Sequence, residues 1–271
     1  QGQASGINII SSGSPGSKPT VLIRGITSYA GNDPLVVIDG ISASIDDLNS
    51  LNPNDVKSVN VLKDAALASI YGVKGGSGVI VITTKSGERN SETKFTLSTS
   101  VGTQEVVRTI DVLNASEYAA ILNEASVNAG EGIVFPNISD FGVGTNWQDE
   151  VLVDAPIVNH SVTASGGSEN TSYYVSAGYT GQDGVVAGGE KSFFNRTNFT
   201  TNVNTDLTDK TKLLVNTNYS NIKGKGLPEN GITSVLSNAL NFDPTVNAYE
   251  NGSFGISETI TQEIVNPLAQ I

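Results

Sequence analysis

The sequence predicts a small α+β domain followed by a run of long antiparallel β-strands. Three observations lead there. Short β-branched runs bounded by turn residues, with a capped helix between two of them, fill residues 1 to about 87. From about Thr93 the pattern changes to apolar–polar alternation over long stretches, the period of an extended strand. The 271 residues are 38% hydrophobic and only 15% charged, and Asn, Ser, Thr and Gly supply much of the remainder. That mixture suits β-structure with polar turns better than packed helices.

In the first part, Val21-Leu22-Ile23 is a short strand followed by Arg24-Gly25, and Leu35-Val36-Val37-Ile38 is another, stopped by the turn pair Asp39-Gly40. Val56 to Leu62 alternates apolar with polar residues. Asp64 is placed to cap a helix over Ala65 to Tyr71, and Gly72 sits where a C-terminal cap glycine belongs. Gly78 to Thr84 closes the unit as a continuous apolar strand.

In the second part, five runs alternate. Phe95, Leu97, Thr99 and Val101 share one face, as do Val158, His160, Val162 and Ala164. Tyr173, Val175, Ala177 and Tyr179 form a third such row. Phe194, Arg196, Asn198 and Thr200 oppose Asn195, Thr197 and Phe199, and Leu213, Val215, Thr217 and Tyr219 oppose Leu214, Asn216 and Asn218. Two connections are tight, around Gly166 to Asn170 and Asp206 to Lys210, whereas Val106 to Pro156 is long. Short turns at one end and long loops at the other suit an outer-membrane barrel, whose strands need about 9–11 residues. Periodicity alone is equally compatible with a soluble β-sandwich.

Composition excludes several classes. The formal net charge is -12, which argues against nucleic acid, a polyanion whose binding depends on neutralising Lys and Arg. With no cysteine there is no disulfide framework, thiolate metal site or cysteine nucleophile. No stretch approaches the about 20 apolar residues of a spanning helix, which leaves a β-barrel open. Starting at Gln1 without methionine or a signal segment, the chain reads as processed, trimmed or part of something longer.

Residues 11–87 carry a more specific signal. They run SSGSPGSKPTVLIRGITS, then NDPLVVIDG, then LNPNDVKSVNVLKDAALASIYGVKGGSGVIVITTKSG. This order of Ile-Arg-Gly, Pro-Leu-x-Val-x-Asp-Gly, Leu-Asn-Pro-x-Asp, Val-Leu-Lys-Asp-Ala, Ile-Tyr-Gly and the closing strand resembles the plug of SusC/RagA-like TonB-dependent receptors. The likeness continues through Leu113 to Tyr118, Thr145 to Glu150, Asn159 to Gly167 and Tyr174 to Val186.

The resemblance implies an α+β plug domain over residues 1–88, its N-terminal part missing. Residues 92–271 would then begin an antiparallel transmembrane β-barrel whose C-terminal part is missing. A complete barrel of this kind has about 22 strands. It also implies an outer-membrane transporter for large nutrients, oligosaccharides foremost and peptides as the alternative. Such a receptor is pulled by TonB through an N-terminal box, capped by a SusD-like surface lipoprotein, and surrounded by outer-membrane lipid. It needs no cofactor and performs no covalent chemistry. The rivals are a soluble carbohydrate-binding β-sandwich with an α/β appendage, for which Trp147 and scattered tyrosines would serve, and a glycan-processing enzyme.

Candidate site residues are few. Arg24, inside an apolar strand, needs a carboxylate or carbonyls if buried, and is expected to seat the plug against the barrel wall; the alternative is a surface arginine at a strand end. The glycine-rich stretch from Gly72 to Gly78 lacks the Gly-Lys-Ser/Thr ending of a phosphate loop and precedes a strand, so tight packing accounts for it better. His160, the single histidine, reads as structural, near a strand end. Asp46-Asp47 and Asp149-Glu150 are neighbours whose side chains diverge, unlike the facing carboxylates of glycoside hydrolysis. The triplets Asn195-Arg196-Thr197 and Asn198-Phe199-Thr200 arise from composition.

Overall fold

The computed structural model describes residues 7–10, 13–23, 33–64, 69–228, 231, 233–260 and 264–271. Two compact units emerge. The first comprises Gln1–Gly102, Ile157–Gln182 and Phe194–Gly224; the second comprises Thr103–Pro156, Asp183–Phe193 and Lys225–Ile271.

The first unit begins with an antiparallel pair, β1 (Ile7–Ile10) and β2 (Thr20–Ile23), in which Ile7 lies opposite Ile23. Next comes a four-stranded sheet, built from β3 (Leu35–Ile38), β4 (Ile41–Ala43), β5 (Val56–Leu62) and β6 (Val79–Thr84) in the order β4-β3-β6-β5. The central pair β3–β6 is parallel and the outer pairs are antiparallel. Asp39 and Gly40 both have positive φ (48° and 85°), the arrangement a two-residue type I′ hairpin needs.

Successive residues Val36 and Val37 are both buried, as are Val79 and Ile80. The two central strands are thus covered on both faces, which is why they read as unbroken apolar runs. Val21, Ile23, Leu51 and Ile82 complete the larger core. Edge strand β5 is mostly exposed, and Val59 points outward despite the alternation.

The helix expected over Ala65 to Tyr71 falls largely on residues 65–68, outside the described residues. The adjoining segment, Ser69–Gly75, is 3-10 in character and kinked at Gly72. Gly78 packs tightly: a Cβ there would lie 2.9 Å from Ile23 Cδ1.

The five alternating runs form one sheet in the sequential order β11-β10-β9-β8-β7: β7 (Ser91–Gln104), β8 (Ala155–Gly167), β9 (Thr171–Asp183), β10 (Phe193–Thr208) and β11 (Thr211–Lys225). The β8–β9 register runs from Ile157 opposite Gln182 to Gly167 opposite Ser172, leaving residues 168–170 as the turn. A single meander sheet replaces the stacked sheets that a sandwich requires. Among the described residues it does not close into a barrel.

The second unit is assembled from the long segments that leave β7, β9 and β11. Its helices are α1 (Ala115–Ala129), α2 (Trp147–Val151) and α3 (Val235–Asn241), and β12 (Tyr249–Glu250) pairs with β13 (Ser253–Phe254). Asn114 and Glu117 form a reciprocal capping box at the start of α1, and Gly130 ends it in the left-handed conformation. The core gathers Trp147, Val151, Val235, Ala239, Phe242 and Val246.

Candidate functional site at a polar seam

The alternation of β8, β9 and β10 places one side-chain row against the α+β part of the first unit and the other row away from it. The facing row is polar and buried: Ser161, Ser172, Ser176, Asn198, Thr200 and Asn202 are each less than a tenth exposed. The opposite row carries Val162, Tyr179 and Phe199, all well exposed. A sheet with a small polar face inward and an apolar face outward is the reverse of a soluble protein's pattern, and it suits a lipid-facing wall around a hydrophilic lumen.

The α+β part meets this wall mainly through the turn that precedes β5. Pro53–Asp55 is a 3-10 turn capped by Asn52, whose Oδ1 accepts from the Asn54 backbone N–H. Asp55, wholly buried, ends the turn. Its Oδ1 accepts from the Tyr174 hydroxyl at 2.8 Å and its Oδ2 from Thr200 Oγ1 at 2.8 Å. Asn54 Nδ2 donates to Ser161 Oγ at 3.1 Å. Opposite Asn52 stands Gly178, where a Cβ would lie 2.5 Å from the Asn52 Nδ2, so glycine makes room for the turn.

Strand β10 adds three further ties. Arg196 donates from Nη1 to the Asn49 carbonyl at 2.8 Å and from Nη2 to Thr180 Oγ1 at 3.2 Å. Asn198 donates to the Ser50 carbonyl. Asn202 donates to Thr84 Oγ1 and to the Lys85 carbonyl. Thr84 in turn donates through its backbone N–H and hydroxyl to the Asp39 carboxylate, at 2.8 and 2.5 Å. The chain then leaves β6 past Arg89, which pairs with Asp206 at 2.6 Å, and Asn90, whose N–H donates to the Ser168 carbonyl.

The seam is therefore held by hydrogen bonds rather than by an apolar seal. Each neutral bond contributes about 0.5–1.5 kcal/mol net, and those to a charged group about 1.5–3 kcal/mol.

The sequence-level candidates fare differently. Arg24 lies outside the described residues. Arg196, set aside as part of a composition-driven triplet, is buried in the seam, and its signal was its place in the alternating row with Asn198 and Thr200. Asp55 stood in the Leu-Asn-Pro-x-Asp turn without a role of its own. His160 is exposed on the outward face in mid-strand rather than near its end, with Nδ1 3.4 Å from Thr99 Oγ1. Asp46 pairs with Lys18, whereas Asp47 accepts from Ser44 through N–H and hydroxyl, which holds its carboxyl below the usual value. Asp149 accepts from Asn146 at the start of α2. Trp147, 2% exposed, is core rather than a sugar platform.

The profile of the TonB-dependent receptor plug domain matches residues 1–79. A TonB-dependent receptor of Formosa agariphila is 37% identical over 280 residues, covering 100% of this chain and 27% of the relative. The TonB-dependent receptor SusC of Bacteroides thetaiotaomicron is 35% identical over 263 residues, covering 92% of this chain and 25% of SusC. This chain belongs to the SusC/RagA-like TonB-dependent receptors. It spans about a quarter of the length of those curated relatives.

The RagAB peptide transporter shares the fold with a TM-score of 0.83 at 24% identity, over 99% of this chain and 34% of that one. The RagAB peptide importer in its open-open state gives 0.77 at 25% identity, over 98% and 34%. These relatives are receptors and a peptide transporter. The plug profile runs through β1 to β5 to the first residue of β6, and β7 to β11 form the antiparallel sheet that follows it.

Proposed function

We propose that this chain supplies the plug and first wall strands of a transporter that imports large nutrients across an outer membrane. Residues 1–88 are assigned to the plug and 92–271 to the start of the barrel. Oligosaccharides are the favoured cargo. TonB is the source of energy, a SusD-like lipoprotein the surface partner, and outer-membrane lipid the surroundings of the wall.

The observation that carries this reading is the polar seam. A plug that must leave its seat under a pull needs contacts that water can replace, and hydrogen bonds between hydroxyls, amides and carbonyls are of that kind. An apolar seal would expose hydrophobic surface on opening. The outward row of Val162, Tyr179 and Phe199 supports a lipid-facing wall.

The test is genetic. A strain lacking the complete gene should lose growth on one class of oligosaccharide as sole carbon source, and recover it with the gene restored. Growth lost on peptides instead would move the cargo to the class named for RagAB. Uptake unchanged by loss of either the gene or TonB would sink the transporter reading.

A further inference from the structure

We propose that Asp55 is the latch that seats the plug, and that Arg196 acts across the seam as its separated counter-charge. The proposal rests on the receptor reading and adds the residues that set the release threshold. Asp55 joins four segments. Its N–H donates to the Asn52 carbonyl at 2.9 Å, its carbonyl accepts from the Lys85 N–H at 2.8 Å, and its carboxylate takes Tyr174 from β9 and Thr200 from β10. The ties from strands β8 and β10 to Asn49, Ser50, Asn54, Thr84 and Lys85 all end on neutral plug groups, whereas Asp55 brings a charge.

A carboxylate wholly removed from water is costly unless it is hydrogen-bonded and its charge is balanced. The two hydroxyls meet the first need. Arg196, 7% exposed and on the same face of β10 as Thr200, supplies a positive charge on that face for the second. The two groups form no direct ion pair: Asp55 is held by hydroxyls, and Arg196 donates from its two Nη atoms to the Asn49 carbonyl and Thr180, its buried Nε having no partner.

That separation has a mechanical consequence. Bonds to an ionised acceptor are about twice as strong as neutral ones, so the latch holds the plug at rest. Release breaks single hydrogen bonds rather than a two-pronged arginine–carboxylate clamp, and both charges regain water as the seam opens. The seat is firm against thermal motion and yields to a directed pull.

The test uses the complete receptor in planar bilayers, with conductance read as urea is raised until the plug leaves its seat. Asp55→Asn keeps the shape, removes the charge and strands Arg196 without a counter-charge. Tyr174→Phe and Thr200→Val weaken the latch from the wall side and leave the plug sequence untouched. Each should lower the urea midpoint for channel opening by about 1 M. Asp55→Asn combined with Tyr174→Phe should shift it by less than the sum of the two, because both act on one bond. Asp47→Asn, which alters an exposed plug carboxylate that bonds only Ser44, should leave the midpoint alone.

Wild-type midpoints for Asp55→Asn and both wall variants would overturn the latch while leaving the receptor reading intact. Additive shifts in the double variant would also overturn it, since independent structural damage adds. A protein that forms no channel even after the plug unfolds would remove the receptor reading, and the latch with it.

Discussion

Asn202 and Thr84 meet across the seam at 2.9 Å, the amide of the wall strand donating to the hydroxyl of the plug's last core strand. The same amide reaches the Lys85 carbonyl at 2.7 Å, and Thr84 passes the connection on to Asp39 at the β3–β4 hairpin. One wall side chain thus steadies the point where the chain leaves the plug sheet.

Replacing Asn202 with Ala should therefore loosen β6 rather than the wall. The buried Thr84 hydroxyl and the part-buried Lys85 carbonyl lose their donor, at a cost of about 1–3 kcal/mol for the buried one where water does not take its place. Hydrogen exchange of the amides at 83–85 in the intact receptor should speed up by roughly tenfold or more. Unchanged exchange there, with altered exchange in β10, would reverse the assignment.

Gly178→Val should displace the docking turn. The Asn52 side chain opposite it cannot simply swing away, because its Oδ1 caps the turn at the Asn54 N–H, 3.0 Å away. Overpacking of this kind costs about 1–3 kcal/mol. The urea midpoint for plug release should fall, and Gly178→Ala should fall less. Equal midpoints for all three would show that the turn has slack.

Trp147 ties α2 to the end of α3 in the second unit, its Nε1–H donating to the Asp243 carbonyl at 2.9 Å and its ring meeting Phe242 edge-on at 4.9 Å. Asp243 in turn accepts from Thr245, Ser257 and Thr259. Trp147→Phe keeps an aromatic ring but removes the shorter of two bonds to that carbonyl, which the Val246 N–H also reaches at 3.4 Å, costing about 0.5–1.5 kcal/mol, whereas Trp147→Ala should cost about 3–5 kcal/mol. Cleavage by a Glu-specific protease at Glu250 and Glu258 should accelerate in that order, roughly tenfold or more for the alanine variant. Identical cleavage rates would mean that these loops are held by something else.

The Ser44–Asp47 turn should respond to acid. Hydrogen bonds from the Ser44 N–H and hydroxyl favour the ionised carboxylate, so its folded value lies below the unfolded value of about 3.9. The stabilisation is complete above that value and is lost as pH falls through the lower, folded one. Protection of the Ser44 amide, corrected for intrinsic exchange, should drop across that acidic window, and Asp47→Asn should abolish the dependence. A pH-independent Ser44 amide in the native protein would contradict it.

Much of the fold was legible because it is local. Strand alternation and the turn pair Asp39-Gly40 depend on residues within a few positions of one another, so the chain states them directly. The family likeness extended this to the plug as a unit. Arg24 was singled out because an arginine in an apolar run is conspicuous. Arg196 was passed over because, in a strand already rich in Asn and Thr, a charged residue in the polar row looks ordinary.

By itself, then, the sequence determined the strands, their two-faced polarity and the class of protein to which they belong. Only the tertiary structure decided which polar residues meet. Asp55 lies 119 positions from Tyr174 and 145 from Thr200, and those pairs exist only once the turn before β5 is laid against the wall. Periodicity assigns a side chain to a face. It carries no information about what stands opposite, because that is fixed by chain segments brought together through burial and backbone pairing over distances that no local pattern records.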